Sequence, residues 1–308
     1  MMRWIAVLAA VLLLVGSGCD GPEDESGASQ PQVEQPDSAT DTPDYVVRSD
    51  QWPDDVERIV SMAPNITEML FELGLGDRVV AVTRYCDWPT EVDDLPTIGG
   101  MLDPDFEAIL GAEPDVVVGA MDGADHEIAD RFDSAGVEYG FIAIDDFDSV
   151  QRGIETLGAW LDVDERAGDV LTTFRDELGD ASATTADESA GDMTGLMVLD
   201  RDPIVAAGPG SFAGELLEAA GLPNTLGDDV DEYPILDAEQ VLDADPAVIV
   251  DITIDVDADV GRQYWERFDT LEAVDADRVI YLNDPVMMRP GPRIPEAVEL
   301  LGERVQSL

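Results

Sequence analysis

Glu107-Ala108-Ile109-Leu110-Gly111-Ala112-Glu113-Pro114-Asp115-Val116-Val117-Val118 has a near twin in Glu239-Gln240-Val241-Leu242-Asp243-Ala244-Asp245-Pro246-Ala247-Val248-Ile249-Val250. Each segment reads as a short helix, a turn at proline and a run of apolar residues of the kind found in strands buried on both faces. Such a repeat within 308 residues predicts two related α/β lobes, and the length suits two domains. Two shorter echoes accompany it: Glu68 to Leu75 is matched by Glu215 to Leu222, and Arg78 to Val82 by Arg278 to Leu282. Their order differs between the halves, so a simple tandem duplication is not expected.

Outward from these segments, short Val/Ile/Leu runs alternate with helical stretches from Arg58 onward, the pattern of parallel sheets covered by helices. Arg58 to Met62 reads as the first strand, and Asn65 to Gly74 as a helix that ends at its glycine. Between the halves, Val150, Ile154, Leu157, Leu161, Ala167, Val170, Leu171 and Phe174 recur at helical spacing. Asp162-Val163-Asp164 splits this stretch in two, with Asp164 as the N-cap of a second helix that joins the lobes. Ala181 to Asp192 is expected to be a polar loop. The resulting division is an N-terminal α/β lobe at 56–147, connecting helices at 148–182 and a C-terminal α/β lobe at 193–308.

Asp and Glu number 69 against 16 bases, for a net charge of −53, and every base is Arg because the sequence contains no Lys. Self-repulsion of that size is screened in molar salt, where the Debye length is about 3 Å, so the composition reads as halophilic adaptation. It excludes nucleic-acid binding, which needs clustered cations facing phosphate.

The N-terminus carries Arg3 and an apolar run from Trp4 to Val15 that is too short to span a bilayer. The run ends in Leu14-Val15-Gly16-Ser17-Gly18-Cys19, which resembles the lipobox of secreted lipoproteins. Residues 1–19 are therefore expected to be a lipoprotein signal peptide, with Cys19 lipidated and the protein anchored outside the cytoplasm at the cell surface. Residues 20–50, rich in Asp, Glu, Ser, Thr, Pro and Gln, read as a disordered acidic tether. Cys86 would remain as the one thiol, so no intramolecular disulfide is expected.

With one histidine, His126, and one thiol, a nitrogen/sulfur metal site is not expected, and no motif of a nucleophile elbow, phosphate loop or zinc protease occurs. No catalytic residues are assigned. Aromatic and soft apolar residues instead follow the strands, where open α/β sheets place ligands. Tyr85 and Trp88 follow Val79 to Val82, Met121 follows Val116 to Val118, and Met287 and Met288 follow Val279 to Leu282; Met101 is a further ligand-binding candidate.

Arg58-Ile59-Val60-Ser61-Met62-Ala63-Pro64-Asn65-Ile66-Thr67-Glu68, Thr83-Arg84-Tyr85-Cys86-Asp87-Trp88-Pro89 and the paired Glu107 and Glu239 segments together resemble periplasmic binding proteins of the cobalamin and iron-siderophore import class, nearest its B12-binding members. The resemblance runs from about Arg58 to the C-terminus. It implies the class III fold with a helical backbone: two Rossmann-like lobes with parallel sheets, joined by a single long helix. It implies no enzymatic activity and no cofactor. The chain would be a monomeric solute-binding protein of an ABC importer, handing its ligand to permease subunits that work with an ATPase. Glu107 and Glu239 fall on the glutamates that dock to permease arginines, Tyr85 and Tyr233 on aromatics of the corrin site, and Arg289 on an arginine at the cleft. Ile98, Val205, Met287 and Met288 depart from the B12 pattern, where bulkier or acidic residues stand.

Cobalamin or another corrinoid is the expected ligand, with a ferric siderophore or haem as the alternative. Only Arg84, Arg289 and Arg293 are expected near the cleft, few for an anionic siderophore, while Tyr85 keeps haem ligation open. Two further classes compete. A cofactor-processing enzyme on a similar fold is opposed by the lipobox and the lack of cluster cysteines, and a signalling receptor would not need the twin glutamates.

Overall fold

The computed structural model describes residues 46–49, 52–120, 125–187, 193–254 and 258–308. The signal segment with Cys19, the tether up to residue 45, Met121 and the side chain of His126 lie outside the described residues.

The first lobe runs β1 (Val46–Arg48), β2 (Ile59–Ser61), α1 (Pro64–Glu72), β3 (Val79–Val82), α2 (Phe106–Gly111), β4 (Val116–Ala120), α3 (Asp125–Ala135) and β5 (Glu138–Ile142). Its sheet has the order β1-β5-β4-β2-β3. All neighbours are parallel except β1, which pairs antiparallel with β5. The tether drawn to Asp50 is therefore corrected at its end. Val46 and Val47 are β-branched and fit a pleated edge, and the Ser49 backbone N–H donates to the Tyr139 carbonyl at 3.0 Å.

Two helices connect the lobes, α4 (Phe147–Trp160) and the 24-residue α5 (Asp164–Asp187). The break falls where Asp162 takes a left-handed φ of 56°. Asp164 opens α5 as its first helical residue. The helix also outlasts the expected loop at 181, because Ala181 is buried in the core and holds its last turns against the protein.

The second lobe runs β6 (Gly195–Arg201), β7 (Ile204–Ala206), α6 (Phe212–Ala219), β8 (Ile235–Leu236), α7 (Ala238–Ala244), β9 (Val248–Asp251), α8 (Ala258–Trp265), α9 (Glu272–Asp275), β10 (Val279–Tyr281) and α10 (Ile294–Gln306). Its order is β10-β9-β6-β7-β8. Here β7 is the reversed strand, because only Asp202 and Pro203 separate it from β6, and so short a link permits only an antiparallel neighbour.

Superposing the orders by β4 on β9 and β2 on β6 sets β5 on β10, so the twin segments hold the same place in each lobe. Asp105 caps α2 and Asp237 caps α7 by accepting backbone N–H bonds. Each helix is followed by a left-handed acid, Glu113 at φ 48° and Asp245 at φ 37°, and then by proline. In the strands, Val116, Val118, Val248 and Val250 face one large core, while Val117 and Ile249 face separate outer clusters. The echo of Arg78–Val82 in Arg278–Leu282 does not survive: β3 flanks β2, whereas β10 flanks β9, the position of β5. Short apolar edge strands resemble one another by composition alone.

The large core is continuous through both lobes. It joins Ile66, Met69 and Leu70 of α1, Val170, Leu171 and Phe174 of α5, Leu216 and Leu217 of α6, and Val298 and Leu301 of α10. Separating the lobes widely would expose this surface at about 25 cal/mol per Å², which favours small excursions.

Candidate ligand-binding cleft

The parallel strands of both sheets end on one cavity of about 580 Å³. Ala120 closes β4, Pro64 and Asn65 follow β2, and Ile144 and Asp145 follow β5; from the other lobe come Ile252 and Ile254 after β9, and Asn283, Asp284, Pro285, Met288, Arg289 and Pro290 after β10. Tyr85 and Met101 complete the wall of the first lobe. A ligand in this cavity touches both lobes at their strand ends, as expected for open α/β sheets. The Met101 loop is set by Gly99, whose φ is 86° and where a Cβ would stand 2.7 Å from the Asp103 carbonyl oxygen.

A smaller compartment of about 140 Å³ adjoins it, sharing Ile144, Asp145, Met288 and Pro290. Leu199, Phe212, Ala213, Glu232, Tyr233 and Met287 form the rest. Partial burial pushes the Tyr233 phenol up.

The lobes are tied beside the cavity. Arg289 Nη1 donates to Glu68 Oε1 at 2.6 Å and to Asp87 Oδ1 at 2.7 Å, Arg293 lies 3.7 Å from Glu68, and Asn65 Nδ2 donates to the Pro290 carbonyl at 3.0 Å. Farther along, the Phe147 backbone N–H donates to Glu215 Oε2 at 2.7 Å. Burial raises the Glu68 carboxyl above the usual range despite the pull of Arg289 and Arg293. Burial, then neighbouring Asp146, also raises Asp145 in the cavity wall, against the opposing pull of Arg152. Among the described residues no cluster of three or more His, Cys, Asp or Glu is placed to hold a metal ion.

Residues 59–286 match the periplasmic binding protein family. The chain belongs to that family. The uncharacterized ABC transporter substrate-binding lipoprotein YvrC of Bacillus subtilis strain 168 is 26% identical over 98% of this chain and 96% of its own length. Among solved structures, the periplasmic vitamin B12 binding protein BtuF of Vibrio cholerae superposes with a TM-score of 0.68 at 28% identity, covering 82% of this chain and 97% of that one. The apo periplasmic heme-binding protein RhuT of Roseiflexus sp. RS-1 gives 0.72 at 26%, covering 82% and 98%.

In this periplasmic binding protein, Tyr85, Met101, Met288 and Arg289 meet at the main cavity, while Tyr233 and Met287 line the smaller compartment with Met288. Met287 is fully buried and reaches only its floor. Trp88 lines neither compartment: it borders a separate groove of about 310 Å³ under α5, beside Val170 and Phe174, with the Arg293 guanidinium 4.3 Å from the centre of its ring. Ile98 is fully buried in the outer cluster of its lobe, and Val205 lies in β7 outside both compartments.

The arginines expected to offer charge are engaged. Arg289 is held by two carboxylates, Arg84 by Asp103 at 2.8 Å, and Arg293 by Glu296 at 2.8 Å. Ile144, Ile252 and Asn283 were legible through the same strand-end rule but were not singled out. Asn65, Asp145 and Asp284 carry no signal of their own in so acidic a chain. Glu107 and Glu239 are each the second residue of an exposed first turn, on α2 and α7 respectively.

Proposed function

We propose that this protein captures cobalamin or a related corrinoid outside the cytoplasm and delivers it to an ABC importer, with no chemistry of its own. The observation that carries this reading is the charge of an otherwise apolar cleft. Its wall presents Asp145 and Asp284, and its one arginine is already neutralised by Glu68 and Asp87. Such a wall suits a neutral or cationic macrocycle edged with amides and repels a dianion. The 28% identity to the Vibrio cholerae B12 binder supports the same ligand.

Haem is the second reading. The Tyr85 phenol, 53% exposed, accepts from Arg84 Nη2 at 3.2 Å and is an oxygen of the kind that ligates ferric iron. The 26% identity to RhuT supports this alternative. A ferric siderophore, which is anionic, would meet the same acidic wall.

Delivery would use Glu107 and Glu239 as paired contacts to a permease that works with an ATPase. Cys19 would be the lipid anchor, and the protein would act as a monomer. Titrating purified protein in molar salt with cyanocobalamin, haem and a ferric hydroxamate tests the ligand. Saturable tryptophan quenching by cyanocobalamin, stronger than by the other two, is expected. A shifted Soret band with no response to cyanocobalamin would move the assignment to haem.

A further inference from the structure

The twin helices share more than their glutamates. Three residues after Glu107 stands Leu110, and three after Glu239 stands Leu242. These leucines are 43% and 42% exposed, while the preceding residues, Ile109 and Val241, are fully buried in the outer cores. An i,i+3 spacing sets each glutamate and leucine on one helix face. One exposed leucine is ordinary. Two at corresponding positions, each beside an exposed glutamate, on helices with the same cap and the same left-handed exit, form a repeated surface.

We propose that Glu107 with Leu110, and Glu239 with Leu242, form two like patches for a two-fold symmetric membrane partner that presents, twice, a basic side chain beside an apolar depression. This rests on the docking reading above and names the chemistry of that contact. Charge alone cannot register such a partner, because acids outnumber bases 69 to 16 and a carboxylate marks no particular spot. In molar salt a charge is also screened beyond about 3 Å, whereas apolar burial is not. The leucines therefore set the register and the glutamates the sign. The patches also lie close to the cleft in sequence. Glu107 follows the cleft residue Met101, and Glu239 follows Tyr233, each by six positions, with the capping aspartate between.

The test measures binding of ligand-free protein to its importer in lipid nanodiscs, so that the identity of the solute does not enter, together with uptake of labelled cyanocobalamin. The variants are L110S/L242S, L110M/L242M, E107R/E239R and V260S, the last altering an exposed valine of another helix, α8. L110S/L242S is expected to bind the importer about twentyfold more weakly, as loss of two half-buried leucine contacts implies, with an unchanged melting temperature and solute affinity. L110M/L242M and V260S should match the wild type. Normal importer binding by L110S/L242S alongside failure of E107R/E239R would overturn the leucine role and leave the glutamate docking standing. Normal binding by both would remove the two together. A broadened melting transition in L110S/L242S, or leucine-dependent self-association of the chain seen by sedimentation, would also overturn the proposal.

Discussion

The twin segments and the cleft walls diverge in opposite senses. In α2–β4 and α7–β9 the two lobes agree in the capping aspartate, the buried residue before each exposed leucine, the left-handed acid, the proline and the alternation of the strand. At the strand ends they share little. The first lobe offers Tyr85, Met101, Ala120 and Asp145, and the second Ile252, Ile254, Asn283, Asp284, Met288 and Arg289. Backbone geometry constrains the former, since a cap or a left-handed turn accepts few residue types. The latter carry fewer such constraints: Asp284 caps a turn and Arg289 bridges to Glu68 and Asp87, while the other wall residues are free to differ between the lobes.

The largest expected effect comes from breaking the tie across the two walls. Arg289→Ala leaves Glu68 buried with its nearest cation gone and should cost about 3–5 kcal/mol in chemical denaturation at neutral pH. The cost should shrink in acid. Burial already holds the folded Glu68 carboxyl above its ordinary 4.5, so lowering pH through that raised value neutralises the stranded charge before an unfolded glutamate would take up its proton. A pH-independent loss would show that the Arg289–Glu68 contact is not the source.

Next is the asymmetry of the walls. Tyr85→Ala, in the cavity of about 580 Å³, should weaken cyanocobalamin binding about tenfold, about 1.4 kcal/mol. Tyr233→Ala, in the compartment of about 140 Å³, should weaken it less. Equal or reversed losses in fluorescence titration would place the ligand mainly against the second lobe.

The smallest effect probes the agreement of the twins. Asp105→Ala and Asp237→Ala each remove a cap from a helix in the same position and should each cost about 1 kcal/mol. Asp105→Ala should cost slightly more, because Asp105 accepts from both Glu107 and Ala108, whereas Asp237 accepts from Gln240 alone and the Gln240 side chain can still accept from the backbone N–H at 237 after the change. A cost confined to one helix, measured in denaturant, would break the equivalence.

Much of the fold was readable because it rests on local rules. The alternation of Val116-Val117-Val118 against Val248-Ile249-Val250 sorts side chains between two cores by the period of the strand alone. The second proposed echo misled because a five-residue apolar run carries no record of which neighbour it pairs with. Of the residues that line the cavity, Tyr85 and Met288 were expected from the strand-end rule and Arg289 from the family resemblance, but the strand-end rule also expected Trp88 there, since it knows which loop a residue occupies and not which way the loop turns it.

The sequence by itself determined two related α/β lobes, their caps, their alternating strands and the loops that would meet a ligand, since each follows from residues a few positions apart. Only the tertiary structure decided what the arginines are worth. Arg289 reads as a free cation until Glu68 and Asp87, 221 and 202 positions away, are seen to hold it. A charge in a protein interior is defined by its nearest neighbours in space, and among 69 acids no spacing along the chain says which two those are.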